Sequence, residues 1–213
     1  EGCSAAVVKI RDAAMLVAYA EAIFRNDQYL TPAQQSTLGI QPEADFPQKD
    51  VFLAEALITQ GDAAHFLEIT GGLLTHYDEQ GNRRYEMFMP SETVATGEVL
   101  SLEEKFLAGE GQNITPARFH PDQAIINQQI AEQVQQDLQR VAACLDIEGY
   151  ARIDAFVKIY DAKRVETWII EVNSLPAMTP ATCIFHQCAL NGYTPFDFIH
   201  HIIQYGLHKE VRP

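Results

Sequence analysis

The stretch GYARIDAFVKI at residues 149–159, followed by VETWIIEVN at residues 165–173, decides the fold of this 213-residue chain. Both segments alternate between apolar and polar positions, which is the pattern of half-buried strands. The connection between them is short and contains the polar run DAKR. The pattern therefore predicts an antiparallel β-hairpin with strands over residues 150–159 and 165–172.

The polar residues of these two strands are unusual in kind. Arg152 and Asp154 lie two apart on the first strand, and Glu171 and Asn173 lie two apart on the second. Because alternate residues of a strand share a face, pairing of the strands would bring two carboxylates and an amide oxygen together beside an arginine. Hard oxygen ligands of this kind suit Mg²⁺ shared with substrate phosphates. The alternative is an ordinary solvent-exposed face of alternating polar residues.

Helices and further strands surround this hairpin in the predicted fold. A helix is expected over residues 12–25 with Asp12 as its N-cap, and the proline-rich residues 26–48 form a long connection. Apolar positions from Ile126 to Leu145 recur every three or four residues, which predicts an amphipathic helix ending before Gly149. Other expected elements are strands over residues 51–58, 65–77 and 83–89, the last two joined by the turn DEQGN, a loop over residues 90–119 that is functional or disordered, and a helix over residues 196–207. The fold class is α+β with a mostly antiparallel sheet.

Composition and charge argue against several classes of protein. Hydrophobic residues make up 47% and charged residues 21%, as in globular domains and unlike disordered or collagen-like chains. The net charge of −14 disfavours nucleic acid and anionic membrane surfaces as partners. No apolar run reaches the roughly 20 residues that cross a bilayer. The four cysteines lack zinc-ribbon spacing, so we expect reduced thiols in a cytoplasmic protein.

Two further segments have the composition of ligand-binding loops. NSLPAMTPAT at residues 173–182 is rich in short side chains and could offer amides and hydroxyls to an anion, or could be an ordinary turn entering a helix. Lys105 lies in the long loop, where a cation could close over phosphates or simply be solvated.

Four segments together resemble a known family. They are EGCSAAVVKI at residues 1–10, EEKFLAGEGQNITPARF at residues 103–119, GYARIDAFV at residues 149–157 and WIIEVNSLPAMTPAT at residues 168–182. In this order and spacing they resemble the signatures of the D-alanine:D-alanine ligase group of the ATP-grasp superfamily. The resemblance implies the C-terminal ATP-grasp region, with a mostly antiparallel sheet flanked by helices. It also implies an ATP-dependent carboxylate–amine ligase that joins D-alanine or a similar D-amino acid through an acyl phosphate, as in peptidoglycan precursor synthesis.

The same resemblance implies roles for the polar residues of the hairpin. Asp154, Glu171 and Asn173 would hold two Mg²⁺ ions, or Mn²⁺ in their place, that bridge the phosphates of ATP. Arg152 and the Ala177 backbone N–H would face the acyl phosphate and the tetrahedral oxyanion as catalytic and substrate-binding groups.

The other implied contacts are with ATP and the second substrate. Thr182 would bind the carboxylate of the second substrate, and Lys105 would contact the γ-phosphate. Glu55 would accept from the adenine amino group, and the Ile58 backbone N–H would donate to the adenine ring. The remaining residues implied to bind ATP are Cys3 and Ser4 in the loop over the phosphates, Asp62 in place of a ribose-binding Glu, and Phe156 against the base, with a role in the apolar core as the alternative for Phe156.

Besides Asp62, three positions depart from the family pattern. Cys3 stands where the family has Ser, and Phe106 stands where many members have Tyr, so the usual hydrogen-bonded triad with a Glu from the N-terminal domain cannot form. Phe106 also resembles the D-alanine:D-lactate branch. Ala177 replaces a Gly, which affects how closely the substrate can approach.

The resemblance also implies how the domains are divided. Residues 1–50 would be the remainder of the central ATP-grasp subdomain, and residues 51–213 the C-terminal subdomain with a mobile loop at about 90–119. The chain opens at Glu1 without Met, so we expect an N-terminal domain upstream, without which the fragment would be inactive. Expected partners are small-molecule substrates, ATP and that missing domain, and a homodimer stays open. The alternatives are a D-alanine:D-lactate-type or other ATP-grasp ligase, and a non-catalytic nucleotide-binding module.

Overall fold

The computed structural model describes residues 6–41, 46–94, 113–120, 122–178 and 182–210. By their contacts the described residues form two compact units, the first ending at Ile58 and the second beginning at Thr59. No helix in these ranges is long and apolar enough to span a membrane.

The first unit contains helices α1 (Ala13–Ile23) and α2 (Pro32–Leu38). The predicted N-cap of α1 is confirmed, because the Asp12 carboxylate accepts from the Met15 backbone N–H at 2.8 Å. The long connection that follows α1 contains only the short helix α2 in its described part, as expected. A small apolar core joins the two helices, with buried residues Ala22, Ile23, Leu38 and Phe46.

The strand expected over residues 51–58 is wrong. This segment has no regular secondary structure, and Val51, Leu53 and Leu57 are exposed. A strand needs a neighbouring strand to bind its backbone N–H and C=O groups, and the described part of the first unit offers none. Alternation in sequence alone was therefore insufficient here.

The second unit is built on one antiparallel sheet. The long strand β1 lies at its centre and pairs with β5 along one edge, while β2 and β3 pair with successive parts of its other edge. β4 continues the sheet beyond β3, and β6 pairs with β5 as the opposite edge strand. The described strands are β1 (His65–Tyr77), β2 (Arg83–Met87), β3 (Ser91–Thr93), β4 (Asn113–Ile114), β5 (Tyr150–Ile159) and β6 (Val165–Asn173).

The two predicted hairpins are confirmed, and β2 ends at Met87, two residues earlier than expected. The expected loop over residues 90–119 contains the short strands β3 and β4, so the expectation is wrong for those two segments, which pair with each other at the edge of the sheet. Its predicted mobility falls on residues 95–112, which lie outside the described part of the chain.

Helix α3 (Ala124–Cys144) covers one face of the sheet, which we call the α3 face. Its residues Ile130, Val134 and Leu138 are fully buried against alternate residues of β5, from Ala151 to Ile159. The amphipathic helix predicted from the sequence is thus confirmed, and its apolar stripe forms the main core with the sheet.

Helices α4 (Cys183–Leu190) and α5 (Pro195–Glu210) cover one end of the opposite face. They bury a second apolar cluster around Phe88 and Phe198. The rest of this opposite face carries polar and aromatic side chains. Cys183 and Cys188 in α4 and Cys144 in α3 are free thiols, as expected.

Two adjacent glycines let helices approach β1 closely from both sides. A Cβ atom on Gly71 would lie 2.5 Å from Leu138 Cδ1 on the α3 face, and one on Gly72 would lie 2.6 Å from Gln187 Oε1 on the opposite face. Both distances are shorter than real Cβ contacts, so a Cβ at either glycine would force neighbouring atoms to move.

We expect Gly72→Ala to lower the free energy of unfolding by about 1–3 kcal/mol through overpacking. Gly206→Ala is the matched control, because a Cβ there meets nothing within 4 Å and Gly206 lies inside α5. That substitution should raise stability by about 0.5–1 kcal/mol through helix propensity. Urea denaturation of both variants measures the effects, and equal shifts would contradict the close packing at Gly72.

Candidate functional site

The polar residues of the β5–β6 hairpin meet on the opposite face of the sheet. Asp154 pairs across the strands with Glu171, and Arg152 pairs with Asn173. Directly paired residues of an antiparallel sheet share a face. The predicted convergence of these four side chains is therefore observed.

A β-bulge at Ile170 makes this convergence possible. Asp154 pairs with Glu171, but the next residue, Ala155, pairs with Ile169, so Ile170 has no partner of its own. Without this extra residue the alternation from Val165 onward would turn Glu171 toward the α3 face. The sequence signal was the consecutive pair of isoleucines, which interrupts the alternation of β6.

Hydrogen bonds link the four side chains into one cluster. Arg152 donates twice to Asp154, from Nε to Oδ1 at 3.0 Å and from Nη2 to Oδ2 at 2.8 Å. The Asn173 amide Nδ2 donates to Asp154 Oδ2 at 3.2 Å and to Glu171 Oε1 at 3.1 Å. One oxygen of each carboxylate thus points at the same place.

This place suits a cation with oxygen ligands. The oxygens Asp154 Oδ2 and Glu171 Oε1 surround the position of the Asn173 Nδ2 atom, and a rotation of that amide would present its oxygen instead. Two carboxylates and an amide, completed by phosphate oxygens and water, match what Mg²⁺ takes in proteins. Within the described ranges no group of three or more His, Cys, Asp or Glu side chains is arranged to hold a metal ion.

Burial and charge act against each other at Asp154. Burial raises the pKa of this carboxyl, whereas Arg152 and Thr70 act to lower it and Glu171 acts to raise it, with a net rise. Burial lowers the pKa of Arg152, but its interactions with Asp154, Cys183 and Glu171 together outweigh burial and the net direction is upward. A cation beside Asp154 would act against this rise and favour the ionised carboxylate.

Sequence reasoning missed Thr70. This residue of β1 pairs directly with Asp154 and donates its hydroxyl to Asp154 Oδ1 at 2.5 Å. No sequence signal connected residues 84 positions apart, since the contact exists only because β1 and β5 are neighbours in the sheet.

Aromatic side chains continue the same face of the sheet. Phe156 lies half-buried outside both apolar cores and stacks on Phe66 with ring centroids 5.1 Å apart. Trp168 is the direct cross-strand partner of Phe156, and Lys158 Nζ lies 5.3 Å from the Trp168 ring centroid. Phe156 thus belongs to neither of these two core clusters, and its contact with the base stays a prediction.

The other residues predicted for the site are not members of the hydrogen-bonded cluster around Asp154. Ala177 is exposed in the segment after β6, Thr182 is the N-cap residue of α4, and Asp62 is exposed in a turn before β1. Glu55 and Ile58 belong to the first unit, in the segment without regular structure. The predictions that involve Cys3, Ser4, Lys105 and Phe106 lie outside the described residues.

Comparison with known proteins points to one family. Residues 64–204, more than half of the chain, match the family model described as D-ala D-ala ligase C-terminus. A D-alanine–D-alanine ligase of Leptospira interrogans is 28% identical over 145 residues, covering 68% of this chain and 38% of the relative. A D-alanine–D-alanine ligase of Carboxydothermus hydrogenoformans is 25% identical over 182 residues, covering 83% of this chain and 53% of the relative.

Among solved structures, D-alanyl-alanine synthetase A of Vibrio cholerae superposes with a TM-score of 0.46 at 21% identity, covering 67% of this chain and 39% of that structure. The chain thus spans about two fifths to one half of the length of these relatives.

Proposed function

Because the chain belongs to the family of the D-ala D-ala ligase C-terminus, we propose that its protein is an ATP-dependent carboxylate–amine ligase. Its substrates would be D-alanine or a similar D-amino acid, as required for peptidoglycan precursors in the cytoplasm. ATP and Mg²⁺ would be its cofactors.

The observation that carries this function is the convergence of Arg152, Asp154, Glu171 and Asn173 on one face. Two carboxylates brought together without enough basic partners repel each other unless a cation lies between them. Among the basic side chains that the structure describes, Arg152 serves both carboxylates, since its Nη2 lies 2.8 Å from Asp154 Oδ2 and 3.9 Å from Glu171 Oε1. A dication bound to phosphates would complete the charge balance.

The reaction would begin with phosphoryl transfer. A carboxylate oxygen of the first substrate attacks the γ-phosphorus of ATP, the bond to the β-phosphate oxygen breaks, and ADP leaves together with formation of an acyl phosphate. Asp154, Glu171 and Asn173 would hold Mg²⁺, which neutralises negative charge on the phosphates when bound.

Amide formation would follow at the same place. The amine of the second substrate attacks the acyl carbon, the bond from that carbon to the phosphate oxygen breaks, and inorganic phosphate leaves with the proton that the amine gives up. Arg152 is 31% exposed at its side chain, so its guanidinium can contact both Asp154 and an oxyanion above the sheet. Ala177 and Thr182 are the further candidates for contacts with the substrates.

The aromatic residues supply a surface for the nucleoside. Phe156 and Trp168 lie side by side on the face that carries Asp154, with Phe66 stacked behind Phe156. Base stacking on such rings is favourable and needs no hydrogen bonds. Trp168 is the sole tryptophan of the chain, so its fluorescence would report nucleotide binding at this surface.

The test is ADP release by the full-length protein with Mg-ATP and a panel of D-amino and D-hydroxy acids. We expect release that depends on a D-amino acid, with D-lactate in the panel to detect the D-alanine:D-lactate alternative. If ATP changes Trp168 fluorescence and no acid in the panel stimulates ADP release, the protein is a nucleotide-binding module and the ligase function is wrong.

A further inference from the structure

We propose that Thr70 is a positioning residue that fixes the Asp154 carboxylate, so that one chosen oxygen faces Glu171 and Asn173. This role rests on the proposed function, because it concerns how Asp154 meets a metal ion. Thr70 belongs to β1, whereas all the other members of the cluster belong to the β5–β6 hairpin.

The two oxygens of Asp154 have different surroundings. Oδ1 receives the Thr70 hydroxyl at 2.5 Å and Arg152 Nε at 3.0 Å. Oδ2 receives Arg152 Nη2 at 2.8 Å and faces Asn173 Nδ2 at 3.2 Å. Each oxygen accepts two hydrogen bonds, but Oδ2 is the one bonded by Asn173, which also bonds Glu171 Oε1, so Oδ2 is the oxygen at the place shared with Glu171.

Thr70 is the more rigid of the two donors to Oδ1. Its residue is 6% exposed, its β-branched side chain has few rotamers, and it pairs directly with Asp154 in the sheet. Its backbone is held as well, because the buried Gln187 donates from Nε2 to the Thr70 carbonyl at 2.8 Å. The donor therefore sits on a fixed part of the structure.

In the proposed reaction Arg152 is the less fixed of the two donors to Oδ1. Its side chain is long and 31% exposed, and in the proposed reaction its guanidinium also contacts the oxyanion. A guanidinium that serves the oxyanion as well as Asp154 has fewer donors to spend on holding Oδ1. The Thr70 hydroxyl then remains as the bond that holds Oδ1 and leaves Oδ2 pointing outward.

The test compares Mn²⁺ binding, in the presence of ADP, by full-length wild-type protein and Thr70 variants, followed by electron paramagnetic resonance. Thr70→Val and Thr70→Ala remove the hydroxyl and should weaken Mn²⁺ binding by about tenfold, the usual effect of losing a residue that orients a metal ligand. Thr70→Ser keeps a hydroxyl and should bind Mn²⁺ nearly as well as wild type. Thermal denaturation of each variant identifies any that do not fold. If Thr70→Val does not fold, Thr70→Ala takes its place in the comparison.

Thr167→Val is the matched control. Thr167 also donates its hydroxyl to an aspartate, at 2.7 Å to Asp137 Oδ2, but on the α3 face of the sheet. Its loss should leave Mn²⁺ binding unchanged. Equal binding by wild type and Thr70→Val, or equal loss in Thr70→Ser and Thr70→Val, would overturn the positioning role alone. A wild-type protein that binds no Mn²⁺ with ADP would overturn the proposed metal site, and the role of Thr70 with it.

Discussion

Replacing Glu171 by glutamine in the full-length protein is expected to lower the rate of ADP release by about 10³-fold, which corresponds to about 4 kcal/mol of transition-state stabilisation. Glutamine keeps the size of the side chain and removes its charge. In the proposed reaction that charge helps to hold a metal ion on the phosphates, a contribution of several kcal/mol. Steady-state ADP release with saturating Mg-ATP and the best D-amino acid measures the effect.

Glu166→Gln is the control for this substitution. Glu166 lies on the same strand, and its carboxylate accepts from Tyr160, Arg164 and Trp168 instead of joining the cluster around Asp154. Its loss should change the rate of ADP release by less than about threefold, since exposed ion pairs contribute little. Unchanged turnover of Glu171→Gln, or an equally large loss in Glu166→Gln, would remove Glu171 from the reaction.

Replacing Gln187 by leucine should produce the largest loss of stability among the substitutions considered, about 3 kcal/mol or more. Gln187 is fully buried. Its Oε1 accepts from the Gly72 backbone N–H at 2.9 Å, and its Nε2 donates to the Thr70 carbonyl at 2.8 Å and to Ser91 Oγ at 2.9 Å. Gln187 therefore binds β1 where the part of β1 that pairs with β3 ends and the part that pairs with β2 begins.

Leucine would leave these backbone groups buried without partners, and each unsatisfied group costs about 1–3 kcal/mol. Gln139→Leu is the control, because Gln139 donates to the Tyr85 carbonyl at 2.9 Å from an exposed position where water can replace it. Its effect on the free energy of unfolding should stay within about 0.5 kcal/mol. Chemical denaturation monitored by circular dichroism compares the two, and similar losses would show that Gln187 does not bind the sheet as described.

Local patterns predicted the elements that depend mainly on their own sequence. Helix α1 starts at its predicted cap because the Asp12 side chain reaches a backbone N–H three residues away. Helix α3 buries the apolar stripe that its sequence spacing defines. The segment 51–58 shows the limit of this reasoning, since its alternation resembles a strand while no described strand of its unit lies beside it.

The candidate site was predicted in part. Alternation identified Arg152 with Asp154 and Glu171 with Asn173 as pairs that share a face, and the short connection predicted that the strands would meet. The match to the family, over residues 64–204, agrees with the resemblance of these segments. The metal-binding and catalytic roles of these residues remain predictions.

The sequence by itself determined which residue types occur at which strand positions, because the period of a strand is a local property of the backbone. Only the tertiary structure decided that Ile170 bulges, that Glu171 consequently faces Asp154, and that Thr70 and Gln187 complete the site from distant parts of the chain. A bulge shifts the pairing register by one residue, and register depends on the partner strand and on the helix packed against it. Contacts such as that between Thr70 and Asp154 join residues with no relation along the chain, so they exist only once the sheet has formed.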